Sequence, residues 1–254
     1  MRFASLLALT TLTSITLTAA PLAAQNCGGD FGSFKQALIQ SAPGHGISAN
    51  TAQAFLSGVR HEQSVINADR RQGHFQRDFL DFSRRLISNN RVQNAARNSQ
   101  RYDSTFDRIE ANYGVPRGVL LAFWAFETDF GAVQGDFNTA NALVTLAHDC
   151  RRPELFLPQV FAAMELFARG DFDPARTTGA WAGEIGQVQM LPADILANGV
   201  DGDGDGHVTL KTSAEDALMS GGRMLQSLGW RAGEPWMQEV TVPSGLDWSI
   251  TGLG

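Results

Sequence analysis

The stretch GVPRGVLLAFWAFETDFG, from Gly114 to Gly131, decides the fold class of this chain. Between Val119 and Phe126 it holds no polar side chain, Pro116 suits the first turn of a helix, and Gly131 suits its exit. An apolar run between such signals predicts a helix buried on all sides. At its far end stands Glu127. A carboxyl in that position loses hydration, which disfavours its charged form, raises its pKa and leaves it able to donate a proton near neutral pH. The competing reading is a helix-end glutamate that reaches water or pairs with Arg117.

Outward from this run, helical periodicity dominates. It predicts helices over residues 34–40, 51–59, 75–87, 92–113, 116–129, 139–147, 153–169, 192–196 and 213–228. Asn198-Gly199 and Leu228-Gly229 read as helix C-termini, and Thr212 with Glu215 has the spacing of a capping box. Only residues 239–242 alternate as a strand does. The expectation is one mainly α-helical domain with a small peripheral β element.

The ends and totals set the compartment. MRFASLLALTTLTSITLTAAPLAAQ opens with one positive charge, an apolar stretch and a small-residue patch at Ala23 and Ala24. It reads as a signal peptide over residues 1–24, too short and too rich in Thr to anchor the chain in a bilayer. No later stretch is long enough to span a membrane. A lipoprotein signal wants a small residue directly before the cysteine, and Asn26 precedes Cys27, which disfavours a lipid anchor. The expectation is export to the periplasm of residues 25–254 as one domain and one monomer. The formal charge of -6 becomes -7 without Arg2, which argues against a nucleic-acid partner. Cys27 and Cys150 are the two cysteines; in an exported chain they read as a disulfide, the alternative being a frayed Cys27 and a buried Cys150.

The loop DGDGDGHVTL, residues 201–210, places Asp201, Asp203 and Asp205 at its first, third and fifth positions, Gly206 at the sixth, and His207 at the seventh, where a backbone carbonyl serves. Three crowded carboxylates repel one another unless a hard cation neutralises them, so this is an EF-hand-like Ca2+ pattern. The twelfth position is Thr212, so the closing ligand falls to Glu215 or Asp216; with Glu215 serving the capping box, Asp216 is the expected ligand. The alternative is a metal-free surface loop. Nothing nearby in sequence supplies a water-activating base, so the cation is expected to be structural.

Five segments occur in the order found in the membrane-bound lytic transglycosylase B family: FWAFETDFG from Phe123, NTANALVTLAHDCRRPELF from Asn138, GAWAGEIGQVQMLP from Gly179, VDGDGDGHVTL from Val200 and LQSLGWRAGEPW from Leu225. The chain resembles that family from about Asn67 onward. The resemblance implies a lysozyme-like helical fold and cleavage of the β-1,4 bond between N-acetylmuramic acid and N-acetylglucosamine in peptidoglycan strands, leaving 1,6-anhydromuramoyl ends. It also implies a single catalytic glutamate at Glu127, a substrate-site glutamine at Gln189 and a calcium loop at Asp201, Asp203, Asp205 and His207.

The residues fit a one-carboxyl reaction. Hydrolytic glycosidases generally use two carboxylates flanking the bond. Asp129 lies about 200° around a continuing helix from Glu127, so the two do not face one bond together. Among the remaining candidates for the glycan cleft, Trp181 sits among Gly and Ala where a sugar can stack on it, whereas Trp124 reads as core. Arg151 and Arg152 match a family pair suited to muramoyl or peptide carboxylates. Two features depart from the family. Glu184 stands where a small residue is usual and puts a second carboxyl at the cleft, and the sequence ends at ITGLG where relatives continue with a segment lining the groove. The competing functions are therefore a lysozyme-type hydrolase using Glu127 with Glu184, and a non-catalytic, calcium-stabilised glycan-binding protein.

Overall fold

The computed structural model describes residues 27–71, 78–235, 237–247 and 249; the expected signal peptide lies outside them. The order is α1 (Phe31–Ser41), a short 3-10 turn (Ala42–His45), α2 (Ala49–Leu56), α3 (Gln63–Arg70), α4 (Phe79–Leu86), α5 (Asn89–Arg101), α6 (Asp103–Tyr113), α7 (Arg117–Thr128), β1 (Phe137–Asn138), α8 (Thr139–His148), α9 (Pro153–Arg169), β2 (Thr178–Gly179), α10 (Pro192–Asn198) and α11 (Ala214–Ser227). β1 and β2 pair antiparallel, with Phe137 opposite Gly179 and Asn138 opposite Thr178. That ribbon is the small β element, and it corrects the expected strand at residues 239–242, which are irregular and exposed. Among the described residues no helix is long and apolar enough to cross a membrane.

The helix buried on all sides is α8, where every residue from Thr139 to Ala147 is buried. α7 instead buries Leu120, Leu121, Trp124, Ala125 and Thr128 and leaves Ala122, Phe126 and Glu127 exposed. The apolar run in α7 is therefore wider than the face it buries, and Ala122 and Phe126 lie on its open face. α8 and α9 pack as a hairpin in the core, with Leu143, Val160, Ala163 and Met164 out of contact with solvent.

Other boundaries follow local chemistry. The expected single helix over residues 92–113 breaks at Tyr102 (φ -110°, ψ 30°), whose ring packs edge-on against Trp124 at 5.6 Å; turning the chain there sets α5 and α6 against α7. α3 was not legible as a helix because it buries only Val65 and Asp69. The last helix is capped by Ser213, whose Oγ accepts from the Asp216 N–H, and not by Thr212 with Glu215.

Two ties hold the first helices to the core. Asp69 is 2% exposed, and its carboxylate is engaged by the guanidinium groups of Arg151 and Arg152, with Arg70 bridging from Asp69 to Asp149. Burial alone would raise the Asp69 pKa, but the two guanidiniums more than offset it and hold the group below the usual carboxylate range. Beside this cluster Cys27 and Cys150 form a disulfide with their Cα atoms 5.1 Å apart, spanning 123 residues of sequence. The Gly28 N–H adds a hydrogen bond to the His148 carbonyl at 2.7 Å.

A cross-link over so long a loop is expected to stabilise the fold by about 4 to 5 kcal/mol in the chain-entropy model. Reduction should lower the Tm correspondingly, and unfolded, non-reduced protein should show no free thiols; two thiols per chain would contradict the pairing. Asp69→Asn should cost about 2 to 3 kcal/mol in urea unfolding, short of a fully buried ion pair because both arginines reach solvent. The Asp69 contribution belongs to pH values above the ordinary aspartate pKa and should fade as pH falls through the lowered native one.

Candidate active site

Glu127 projects from the last turn of α7 on its open face. The side chain is accessible to solvent, yet its carboxyl lies against protein on enough sides to lose hydration. That desolvation raises its pKa above the ordinary glutamate value, and the like charge of Glu184 pushes in the same direction. The helix then stops abruptly, because Asp129 and Phe130 both adopt left-handed backbone (φ 52° and 61°). The Asp129 N–H caps the helix at Ala125, and its carboxylate receives Arg91 Nε of α5 at 3.1 Å. Asp129 thus lies beyond the end of the helix and is engaged by Arg91.

What fixes Glu127 in space is the facing segment from Gly179 to Pro192, and Gln187 is its fastening. The Thr128 hydroxyl donates to the Gln187 carbonyl at 2.6 Å, and the buried Trp124 Nε1 donates to Gln187 Oε1 at 3.1 Å. The Gln187 N–H in turn donates to the Leu210 carbonyl, and a bridge between Ile185 and Met190 closes the turn. Gly131 admits the close approach, since a Cβ there would stand 2.7 Å from Gln187 Oε1. Sequence reading singled out Gln189 and passed over Gln187. The available signal was the Gln-Val-Gln spacing, which puts two amides in one turn with only one of them pointing at the helix core.

Gln189 sits at the tip of this turn with φ 49°, and its side-chain amide donates to the Gly186 carbonyl at 2.8 Å. Trp181 is half-buried on the same segment and packs against the core edge. Trp124 is 2% exposed, so it is core, as its position in α7 suggested. Glu184 is half-buried, and burial raises its pKa, with its own backbone N–H and Arg152 pulling the other way. One terminal nitrogen of each of Arg151 and Arg152 engages the buried Asp69, and both side chains remain partly exposed.

Asp201, Asp203 and Asp205 converge, with ligand atoms within 4.8 Å of one another. Asp201 accepts from the amides of Gly206, Gly204 and Asp205, and this lowers its pKa, the Gly206 contact contributing most. The donor set suits a hard divalent cation: oxygen atoms only, closely spaced. Asp216 does not join this group. Fully buried, it accepts from the backbone N–H of Gly202, Asp203 and Thr209, and so clamps the base of the loop to α11. Gly202 is needed where the strand of loop meets α11, since a Cβ would lie 2.4 Å from the Glu215 carbonyl. The His207 ring pairs with Asp171 at 2.9 Å, which raises its pKa, while its main-chain N–H donates to Asp205 Oδ1 at 2.8 Å.

Residues 30–254 match the transglycosylase SLT domain family, and the chain belongs to that family. It is 26% identical over 220 residues to membrane-bound lytic murein transglycosylase B of Escherichia coli, covering 82% of this chain and 61% of that protein. SltB3 from Pseudomonas aeruginosa, solved in complex with NAG-NAM-pentapeptide, superposes with a TM-score of 0.80 at 33% identity, covering 87% of this chain and 59% of that one. Escherichia coli Slt35 in complex with calcium matches with a TM-score of 0.73 at 28% identity, covering 83% and 68%. The chain thus spans about three-fifths of the length of the first two relatives.

Replacing Gln187 by Leu should leave the indole N–H of Trp124 unpaired in the core and cost about 1 to 3 kcal/mol. Urea unfolding measures this, and a change under about 0.5 kcal/mol would mean that Gln187 does not fasten the segment to α7.

Proposed function

We propose that this chain is a peptidoglycan lytic transglycosylase in which Glu127 is the only catalytic carboxyl. One observation carries the reading: Glu127 stands on the open face of α7 with its pKa raised by desolvation, while its neighbour Asp129 is held by Arg91. In the proposed reaction the Glu127 carboxyl gives its proton to the oxygen of the β-1,4 bond as that oxygen leaves C1 of N-acetylmuramic acid. The substrate's own 2-acetamido group stabilises the electron-poor C1. The 6-hydroxyl then attacks C1 as its proton passes to the Glu127 carboxylate, which closes the 1,6-anhydro ring and returns the acid. No water enters. Membership of the transglycosylase SLT domain family supports this reading, as does the likeness to SltB3, which has been solved with NAG-NAM-pentapeptide and with NAG-anhNAM-pentapeptide.

The proposal extends to the rest of the chain. Residues 1–24 direct export, and residues 25–254 act in the periplasm as a monomeric catalytic domain on glycan strands, with Gln189 and Trp181 on the cleft side of the 179–192 segment meeting sugar. Asp201, Asp203, Asp205 and the His207 carbonyl hold a structural Ca2+. A second reading, hydrolysis through Glu127 and Glu184, is favoured by the second carboxyl at the cleft.

Digestion of purified sacculi followed by mass spectrometry separates the readings, since anhydro products lie one water, about 18 Da, below hydrolytic ones. Anhydromuramoyl ends are expected. Reducing ends alone would support the hydrolase, and no release would leave a binding protein. Glu127→Gln should lose at least about a hundredfold in rate with the fold intact, the usual contribution of a positioned acid, and more than about a tenth of the activity remaining would remove Glu127 from the role. Calcium at about a hundred times its Kd should add roughly 2.7 kcal/mol to stability. That increment should vanish in Asp203→Ala with Asp205→Ala; an unchanged Tm on adding calcium to metal-stripped protein would contradict the site.

A further inference from the structure

Two charged residues near the acid sit against the dipoles of their own helices. Arg91 lies in the first turn of α5, which carries no acidic side chain there, and Asp129 caps the C-terminal end of α7. A cation beside a helix N-terminus and an anion beside a C-terminus are each unfavourable locally, so a gain elsewhere must hold them. That gain is their mutual contact: Arg91 Nε donates to Asp129 Oδ1 at 3.1 Å across 38 residues of sequence. The same guanidinium donates through Nη1 to the Leu86 carbonyl at 3.0 Å, one of the carbonyls at the end of α4 that lack a partner within the helix. Arg91 therefore joins the end of α4, the start of α5 and the exit of α7.

The exit that Arg91 holds is strained. Asp129 and Phe130 are consecutive non-glycine residues in left-handed backbone, and Gly131 comes only after them. Left-handed backbone drives Cβ toward the following carbonyl; aspartate tolerates this better than most residues, and phenylalanine poorly. Such a conformation persists only where its surroundings over-determine it. Here the Phe130 N–H reaches the Trp124 carbonyl at 3.3 Å and its ring meets the Trp124 ring edge-on at 5.4 Å, while Arg91 holds the Asp129 side chain. The resulting turn brings the Gly131 N–H to the Thr128 hydroxyl at 2.9 Å, the same hydroxyl that donates to the Gln187 carbonyl. Thr128 follows Glu127 directly, so the backbone of the acid is held by the exit turn as well as by the facing segment. Were residue 129 to relax to right-handed backbone, α7 would run on, Gly131 would leave Thr128, and the turn that carries Glu127 would lose that restraint.

We propose that Arg91 is a positioning residue for Glu127: a guanidinium on α5 that locks the left-handed exit of α7 and so fixes the direction in which the acid points. The proposal rests on the reading of Glu127 as the general acid and adds to it the group that holds that acid in place. Arg91 acts through Asp129 and the backbone and touches no substrate. A general acid must present its proton within hydrogen-bond reach of the leaving oxygen, so a small turn of its helix end is felt in kcat.

The test joins kinetics on soluble, uncross-linked glycan strands to NMR of the exit turn, with each variant assayed where circular dichroism shows it folded. Arg91→Met, which keeps the length and loses the donors, should lower kcat about tenfold to a hundredfold while KM stays within about twofold. Asp129→Leu, which spares the bond to Leu86, should reproduce the loss. Glycine takes left-handed backbone without a steric penalty and disfavours continued helix, so adding Asp129→Gly to Arg91→Met should recover most of the rate. The three-bond coupling between the amide and α protons of residue 129 reads its backbone directly, and in Arg91→Met it should fall toward the helical value. Unchanged kcat in both single variants would overturn the proposal. So would a loss that glycine at position 129 does not recover, or a loss with the residue 129 coupling unchanged, since either would mean general damage to the fold. If Arg91→Met does not fold, Asp129→Gly should still exceed Asp129→Leu in kcat, and equal rates would overturn the proposal. If Glu127→Gln retains its activity, the reading of Glu127 fails, while the coupling still decides whether Arg91 holds the exit.

Discussion

The site depends on the fastening of the 179–192 segment to α7 through Gln187. A helix end is a poor platform for a catalytic acid, because its last turn lacks part of its hydrogen-bond ladder and frays. Here the last turn is held from outside: the Thr128 hydroxyl donates to the Gln187 carbonyl, and the Trp124 indole donates to the Gln187 amide oxygen. The two bonds flank Glu127 in sequence and leave its own side chain free. Glu184, Trp181 and Gln189 lie on the same segment, so the one attachment ties their backbone to the helix that carries Glu127.

Much of the fold was legible because it follows from periodicity. The α9 and α7 helices lie within a residue or so of where the apolar pattern puts them, and the disulfide is the pairing expected of two cysteines in a chain read as exported. Periodicity failed where burial is thin or where the partner is distant. α3 buries two residues, too few for a stripe, although one of them, Asp69, organises Arg151 and Arg152 across 82 and 83 residues of sequence. The β ribbon is two residues per strand, and no pattern of that length can alternate.

The acid itself was found for a reason that needs adjusting. An apolar helix suggested burial on all sides, whereas α7 has an open face, and full burial belongs to α8. The Glu127 pKa is still raised on that open face, by desolvation first and by the charge of Glu184 second. Arg151 and Arg152 need a similar adjustment. A charged pair in a motif signals that charge is needed, and the structure adds an internal partner for it, Asp69. Asp216 was likewise a plausible oxygen ligand by its position, yet its acceptor capacity is taken by three backbone amides.

The central claim is that one carboxyl, at residue 127, meets the scissile oxygen. A crystal structure of Glu127→Gln with a bound oligomer of alternating N-acetylglucosamine and N-acetylmuramic acid tests it most directly, since the amide keeps the shape without the transferable proton. The account predicts the residue 127 side chain within about 2.6 to 3.2 Å of the oxygen that links N-acetylmuramic acid to the next sugar, with the muramoyl 6-hydroxyl on the same side. A complex in which that oxygen faces Glu184, with the residue 127 amide beyond hydrogen-bond reach, would contradict it.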